Sequence, residues 1–257
     1  MTFYHHYPNI TINHGFFNNT GGVSIDEFSS LNLKYMSGDN EKNILQNYQR
    51  VSKKINVSPD QLIILKQVHS NKCVVINDTN KIPKHNTLIA DAAITNNPEV
   101  VLCVLTADCL PILLYDPNAL LVASIHCGFK GLTSGIILNT ISQMQQLGSK
   151  LENINVLFGP SIQQQYYEVS CEIDISTQEG INIETCLLYE SNKYYFNIPK
   201  AAEIISTNIG ILKSNIYNQC NFDTYSNHTF YSYRRNTHNK IINYGNQLSF
   251  IQLKESY

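Results

Sequence analysis

Polar and apolar positions change rhythm several times along the 257 residues, and each rhythm predicts an element. Residues 9–17 alternate roughly as a strand, and Asn18-Asn19-Thr20-Gly21-Gly22 then supplies the backbone-permissive residues of a loop or a plain hairpin turn. From 39 to 54 the spacing turns helical, with Ile44, Tyr48 and Val51 on one face and Asp39 suited to the N-cap. Runs 62–68 and 73–76 read as strands joined through His69-Ser70-Asn71, and 100–105, 110–115 and 120–125 as short central strands. Helical spacing returns over 131–147 through Ile136, Ile137, Ile141 and Met144. Residues 156–158 read as a strand closed by Gly159-Pro160, and 199–209 as a helix opening on Pro199, whose missing N–H costs nothing there. Hairpins mix with helices instead of repeating as βαβ, which predicts an α+β fold with helices outside the sheets. No internal repeat and no Gly/Ser/Pro-rich linker divides the chain, so one domain over 1–257 is expected.

Composition narrows the function. A formal net charge of -2 disfavours a nucleic-acid partner, and 43% hydrophobic against 15% charged residues suffices for a core without a staple. The longest apolar runs stop short of the ~18 residues of a membrane span, and the first residues show no export signal, so a cytoplasmic location is expected. The 7 cysteines, at 73, 103, 109, 127, 171, 186 and 220, form no CxxC pair, which predicts reduced and mostly buried thiols.

Three stretches place ionisable groups at the ends of runs that belong deep in the fold: Ala90-Asp91-Ala92, Thr106-Ala107-Asp108-Cys109 and His126-Cys127-Gly128-Phe129-Lys130-Gly131. Buried without partners, such groups cost on the order of 1–3 kcal/mol each, so Asp91 and Asp108 need company. His69, Cys109 and His126 together offer the thiolate and imidazoles that zinc prefers, with a fourth position left open. The same residues also fit a thiol nucleophile, Cys109, activated by His126 or His69 without a metal. Two of the chain's three arginines, Arg234 and Arg235, adjoin the aromatic segment Phe230-Tyr231-Ser232-Tyr233, as a solvated basic patch or as a fork for an anion. Lys130, beside a predicted helix start, is a further anion candidate. His5, His6, His14, His85, His228 and His238 read as surface or packing residues.

Gln67-Val68-His69, Ala90-Asp91-Ala92, Leu105-Thr106-Ala107-Asp108-Cys109, the block from His126 to Gly131, Gly159-Pro160-Ser161-Ile162 with Tyr167-Glu168-Val169, and Ser232-Tyr233-Arg234-Arg235 resemble the signature blocks of the laccase-domain family. Its members carry the labels polyphenol oxidase and purine nucleoside phosphorylase. The resemblance begins at His14-Gly15-Phe16-Phe17, continues through Gly21-Gly22-Val23-Ser24 and Ser30-Leu31-Asn32-Leu33, and spans nearly the whole chain in order. It implies a compact α-β-β-α layered domain with mixed sheets, often a homodimer, holding one zinc on His69, Cys109 and His126. It further implies phosphorolysis of adenosine, inosine and S-methyl-5'-thioadenosine, with adenosine deamination beside it. Cys109 and His126 then belong to the catalytic centre; by residue type, and not carried over from the family, Asp91 or Asp108 is the acid-base candidate and Lys130, Arg234 and Arg235 are the phosphate candidates. None of the 8 histidines forms the His-x-His pair of a multicopper centre, so copper is expected only as a displacing ion with weak oxidase activity.

The chain departs from the family pattern at several positions. Asn18-Asn19 stands where an arginine is usual, Phe129-Lys130 where the pattern has Trp-Arg, and Ser161 where it has Cys. A lysine is a point charge and not a fork, which weakens the grip on phosphate more than on metal. Phe129 keeps a stacking face without the indole donor. Two other classes compete with the nucleoside enzyme: an amidase editing cell-wall precursors at the same site, and a metal-holding module without turnover.

Overall fold

The computed structural model describes residues 4–7, 10, 12–77, 87–170, 177, 180 and onward to 254. His85 and Cys171 lie outside them. The chain runs through β1 (Tyr4–His5), β2 (Asn13–Phe17), α1 (Glu41–Ile55), β3 (Leu62–Ile64), β4 (Cys73–Val75), β5 (Ala92–Thr95) and β6 (Val101–Thr106). It continues through β7 (Leu110–Asp116), β8 (Leu121–Cys127), α2 (Phe129–Thr133), α3 (Ile136–Gln146), β9 (Asn155–Phe158) and β10 (Glu168–Val169). Then follow β11 (Leu187–Glu190), β12 (Lys193–Phe196), α4 (Ile198–Ile209), β13 (Ile216–Tyr217), α5 (Tyr233–His238) and β14 (Gln247–Gln252). Two mixed sheets dominate, a five-stranded one ordered β1-β2-β14-β6-β3 and a six-stranded one ordered β13-β9-β7-β8-β5-β4; β10-β12-β11 form a small third.

Strand side chains alternate between faces, and here both faces are apolar. Leu102 of β6, Leu113 of β7 and Val122 of β8 meet Phe16, Leu157 and Ile251 in the layer between the large sheets. Their neighbours Val101, Cys103 and Leu105 face outward onto Ile44, Tyr48, Val51 and Ile55 of α1. On the other side Ile112, Leu114, Ala123 and Ile125 pack on Ile137, Ile141 and Met144 of α3 and Ala201 and Ile205 of α4. The result is the α-β-β-α layering, with each fully buried aliphatic side chain contributing about 1.5–3 kcal/mol.

Several local expectations are corrected. Asn40, not Asp39, caps α1, its side chain accepting from Lys42 N. Asp39 instead accepts from Ser24 Oγ, Asn32 Nδ2 and Asn40 N, tying the preceding loop together. The helix expected over 131–147 is two, α2 and α3, separated where Gly135 adopts φ 85. The strand expected over 62–68 stops at Ile64, because the Gln67 side chain takes both the N–H and the carbonyl of Leu105 in place of a ladder. Residues 18–22 form no hairpin turn: a Cβ on Gly22 would lie 2.0 Å from Ser30 O, so glycine there admits a close backbone crossing. Strands β5, β11, β12 and β14 were not anticipated, and β14 is central, paired with β2 and β6.

Candidate metal centre

Two crossings build the site. The chain leaves the five-stranded sheet for the six-stranded one between β3 and β4 and again between β6 and β7, and these turns carry His69 and Cys109. His126 is the penultimate residue of β8, opposite Pro111 at the start of β7. The ligating atoms of the three side chains lie within 4.8 Å of one another. Cys109 Sγ is 3.6 Å from His69 Nε2. With Zn–S near 2.3 Å and Zn–N near 2.0–2.1 Å, a tetrahedral zinc would leave a sulfur–nitrogen edge of about 3.5–3.6 Å. The residues therefore fit a zinc-like ion by donor chemistry and by spacing.

Backbone strain and close packing surround the triad. His69 has φ 60 and Asp108, just before Cys109, φ 94, a region that costs non-glycine residues about 1–3 kcal/mol. A Cβ on Gly128 would sit 2.6 Å from His69 Cδ2 and 3.2 Å from Cys109 Sγ, so only glycine lets the imidazole approach the thiol.

One buried carboxylate organises the histidines. Asp91, 0% exposed, receives His126 Nδ1 at 2.8 Å. It also accepts from the backbone N–H groups of Val68, His69 and Ser70 and from Ser70 Oγ. Asp91 thus fixes the turn bearing His69, and it holds the proton of His126 on Nδ1 so that Nε2 faces the thiol, as carboxylate-backed metal histidines do. Burial alone would raise its pKa, but the bonds from His126 and Ser70 hold it well below the usual carboxylate range. Burial opposes ionisation of Cys109 too, yet His126 and His69 draw the thiol below its ordinary pKa. Burial would lower His126, and the Cys109 and Asp91 charges raise it instead. The thiols of Cys73, Cys103, Cys127, Cys186 and Cys220 are pushed up by burial. Among the described cysteines Cys109 alone joins a cluster that could hold a metal and has its pKa drawn down.

A cleft of about 830 Å³ opens over the triad. Asp108 lines it, accepting Arg234 N at 2.6 Å and Thr224 Oγ1 at 2.7 Å, with burial raising its pKa. Lys130 and Arg234 also line it. Arg235 does not: its guanidinium donates to the carbonyls of Thr224, Tyr225 and Phe230, clamping a loop from behind. Of the two arginines expected as phosphate candidates, Arg234 thus lies in the lining and Arg235 does not, since consecutive helical residues point some 100° apart. Asn18 and Asn19 are absent from the lining and bond within their own loop and to the His228 carbonyl. Ser161 is buried against Asn221. Of the remaining described histidines, His14 is buried and accepts Tyr7 N, His5 meets the Phe222 ring at a tilt, and His6, His228 and His238 are exposed, the last bonded to Tyr225. Sequence reasoning gave Gln67 and Gly128 no role of their own within the signature blocks, and passed over Lys34 and Tyr244. A lysine directly after the apolar block Leu31-Asn32-Leu33 was the available signal for Lys34.

Comparison with known proteins agrees with this architecture. Residues 13–254 match the family described as multi-copper polyphenol oxidoreductase laccase, and the chain belongs to that family. A purine nucleoside phosphorylase of Corynebacterium glutamicum is 36% identical over 151 residues, 58% of this chain and 60% of that protein, so the match spans less than two thirds of its length. The purine nucleoside phosphorylase YfiH of Shigella flexneri is 31% identical over 84% of this chain and 85% of its own. Among solved structures, YlmD from Geobacillus stearothermophilus has the same fold at a TM-score of 0.86 and 24% identity, covering 94% of this chain and 92% of that one. A Neisseria meningitidis protein, NMB0706, covers 99% of both chains at 0.83 and 25%.

Proposed function

We propose that the chain is a zinc-dependent purine nucleoside phosphorylase acting on adenosine, inosine and S-methyl-5'-thioadenosine, with adenosine deamination as a side activity. The observation that carries this reading is the His69–Cys109–His126 cluster at the floor of a cleft lined by cations and aromatic rings. The names of the relatives support it. A bound zinc supplies Lewis acidity at its open position.

The remaining work falls to the chain. Phe129, held edge-on against Phe196, and Tyr35 and Tyr233 give the cleft faces on which a purine stacks. In phosphorolysis a phosphate oxygen bonds to C1′, the C1′–N bond breaks with its electron pair going to the base, and the base takes a proton. Lys130 and Arg234 oppose the phosphate charge. Asp108, lining the cleft, is the acid-base group of this proposal. Asp91 acts through His126, with no exposed oxygen to offer substrate.

Metal analysis of protein purified without added copper, then an adenosine assay with and without phosphate, tests the reading. About one zinc per chain and adenine formed only with phosphate are expected, and Cys109→Ala loses both. No purine turnover by the zinc-loaded protein refutes it; release of an amino acid from a cell-wall precursor would assign the site to amide hydrolysis.

A further inference from the structure

Two of the cations that line the cleft, Lys34 and Arg234, are seated on aromatic rings. The Lys34 ammonium lies 3.4 Å from the centre of the Tyr244 ring. The Arg234 guanidinium lies 5.6 Å from that of Tyr167. Tyr244 packs edge-on against Tyr233, ring centres 5.2 Å apart, and Tyr233 immediately precedes Arg234. Lys34 and Arg234 are therefore joined through one aromatic pair in one cleft. Among the described residues no carboxylate forms an ion pair with either. A ring face attracts a cation without consuming its N–H donors as a carboxylate would; one Arg234 Nη1–H goes to the Glu168 carbonyl at 2.8 Å, whereas Arg235 gives its donors to three carbonyls.

The backbone holds Lys34 in place. Lys34 N and Asn246 N both donate to Asn32 Oδ1, and Leu33 N donates to the Asn246 carbonyl. That registers Lys34 against the start of β14, whose Gln247 pairs with Thr106 of β6. Thr106 and Asn246 line the same cleft, and Thr106 Oγ1 and Asn246 Oδ1 have no hydrogen-bond partner within the described protein. The wall thus combines a fixed ammonium with polar side chains that the fold itself leaves unused. Lys34 is half-buried, and burial lowers its pKa with no acid to offset the effect.

We propose that Lys34 is a phosphate-recognition residue of this site, sharing with Arg234 the role that Arg235, spent on backbone carbonyls, does not take. Its ligand is inorganic phosphate as co-substrate, so the inference rests on the phosphorylase reading. A nucleoside is neutral, whereas phosphate near neutral pH carries one to two negative charges, and two half-desolvated cations discriminate between them by charge alone.

Lys34→Met and Lys34→Arg in the full-length, zinc-loaded protein test it. The KM for phosphate at saturating adenosine is expected to rise about tenfold or more in Lys34→Met. The KM for adenosine should stay within about twofold, with Lys34→Arg recovering most of the phosphate affinity because charge is retained. Calorimetric titration with inorganic phosphate should show the same loss, at unchanged zinc content. Lys34→Gln serves if the methionine variant folds poorly. An unchanged phosphate KM, or an equal rise for adenosine, overturns the inference while leaving the phosphorylase reading intact. If the wild type shows no phosphate-dependent turnover, that reading falls separately. Calorimetry then decides Lys34: phosphate binding lost in Lys34→Met sustains it, and no binding to the wild type refutes it.

Discussion

The metal corner and the cationic wall share one cleft but are built on opposite principles. At the corner every supporting polar group is spent: Asp91 receives His126, three backbone amides and a hydroxyl, and Gln67 pairs with both backbone groups of Leu105. On the wall Lys34 and Arg234 rest on tyrosine faces, and among the described residues neither forms an ion pair with a carboxylate. The corner gathers a carboxylate and a thiol drawn toward ionisation, which suits a cation; the wall holds cations without an ion-paired carboxylate, which suits an anion. The lesson is that a buried group's role can be read from what has been done with its counter-charge.

Three substitutions sharpen the contrast. Asp91→Asn should have the largest effect, because an amide would turn an N–H toward groups that are themselves donors. A loss of about 3 kcal/mol in stability and a 10–100-fold fall in zinc affinity are expected, checked by urea unfolding and competitive chelation. Gly128→Ala should strike the corner more narrowly. The added methyl collides with His69 Cδ2, so zinc affinity should fall about tenfold with stability reduced by only about 1–2 kcal/mol. Equal zinc affinity in the alanine protein would mean that His69 is not held where the structure has it. Arg235→Met should have the smallest effect and none at the corner. Losing its bonds to three carbonyls should cost about 1–2 kcal/mol of thermal stability, with zinc content and phosphate KM unaltered. A raised phosphate KM in that variant would return Arg235 to the anion site and erase the distinction between the adjacent arginines.

How far the sequence reaches differs between fold and site. The short continuous β-rich runs at β6, β7 and β8 and the helical faces of α1, α3 and α4 were legible because burial enforces the pattern locally. The Ala92–Thr95 strand was missed because four small or branched residues carry no period, and β14 because it becomes central only through pairing with strands far away in the chain. The N-cap moved by one residue because Asp39 is claimed by Ser24 and Asn32, a long-range competition that local capping rules do not contain.

The amino-acid sequence alone determined the α+β class, the family and the identities of His69, Cys109 and His126, since ligand chemistry and apolar periodicity are properties of residue type and order. Tertiary structure alone decided that Asp91 backs a histidine, that Arg235 turns away from the cleft and that Lys34 lies within it. Those assignments depend on where counter-charges and hydrogen-bond partners arrive. Such partners come from segments dozens to hundreds of residues away, as Asp91 meets His126 and Asn32 meets Asn246, and only tertiary pairing brings them together, β5 beside β8 for the first and a loop docked at the start of β14 for the second.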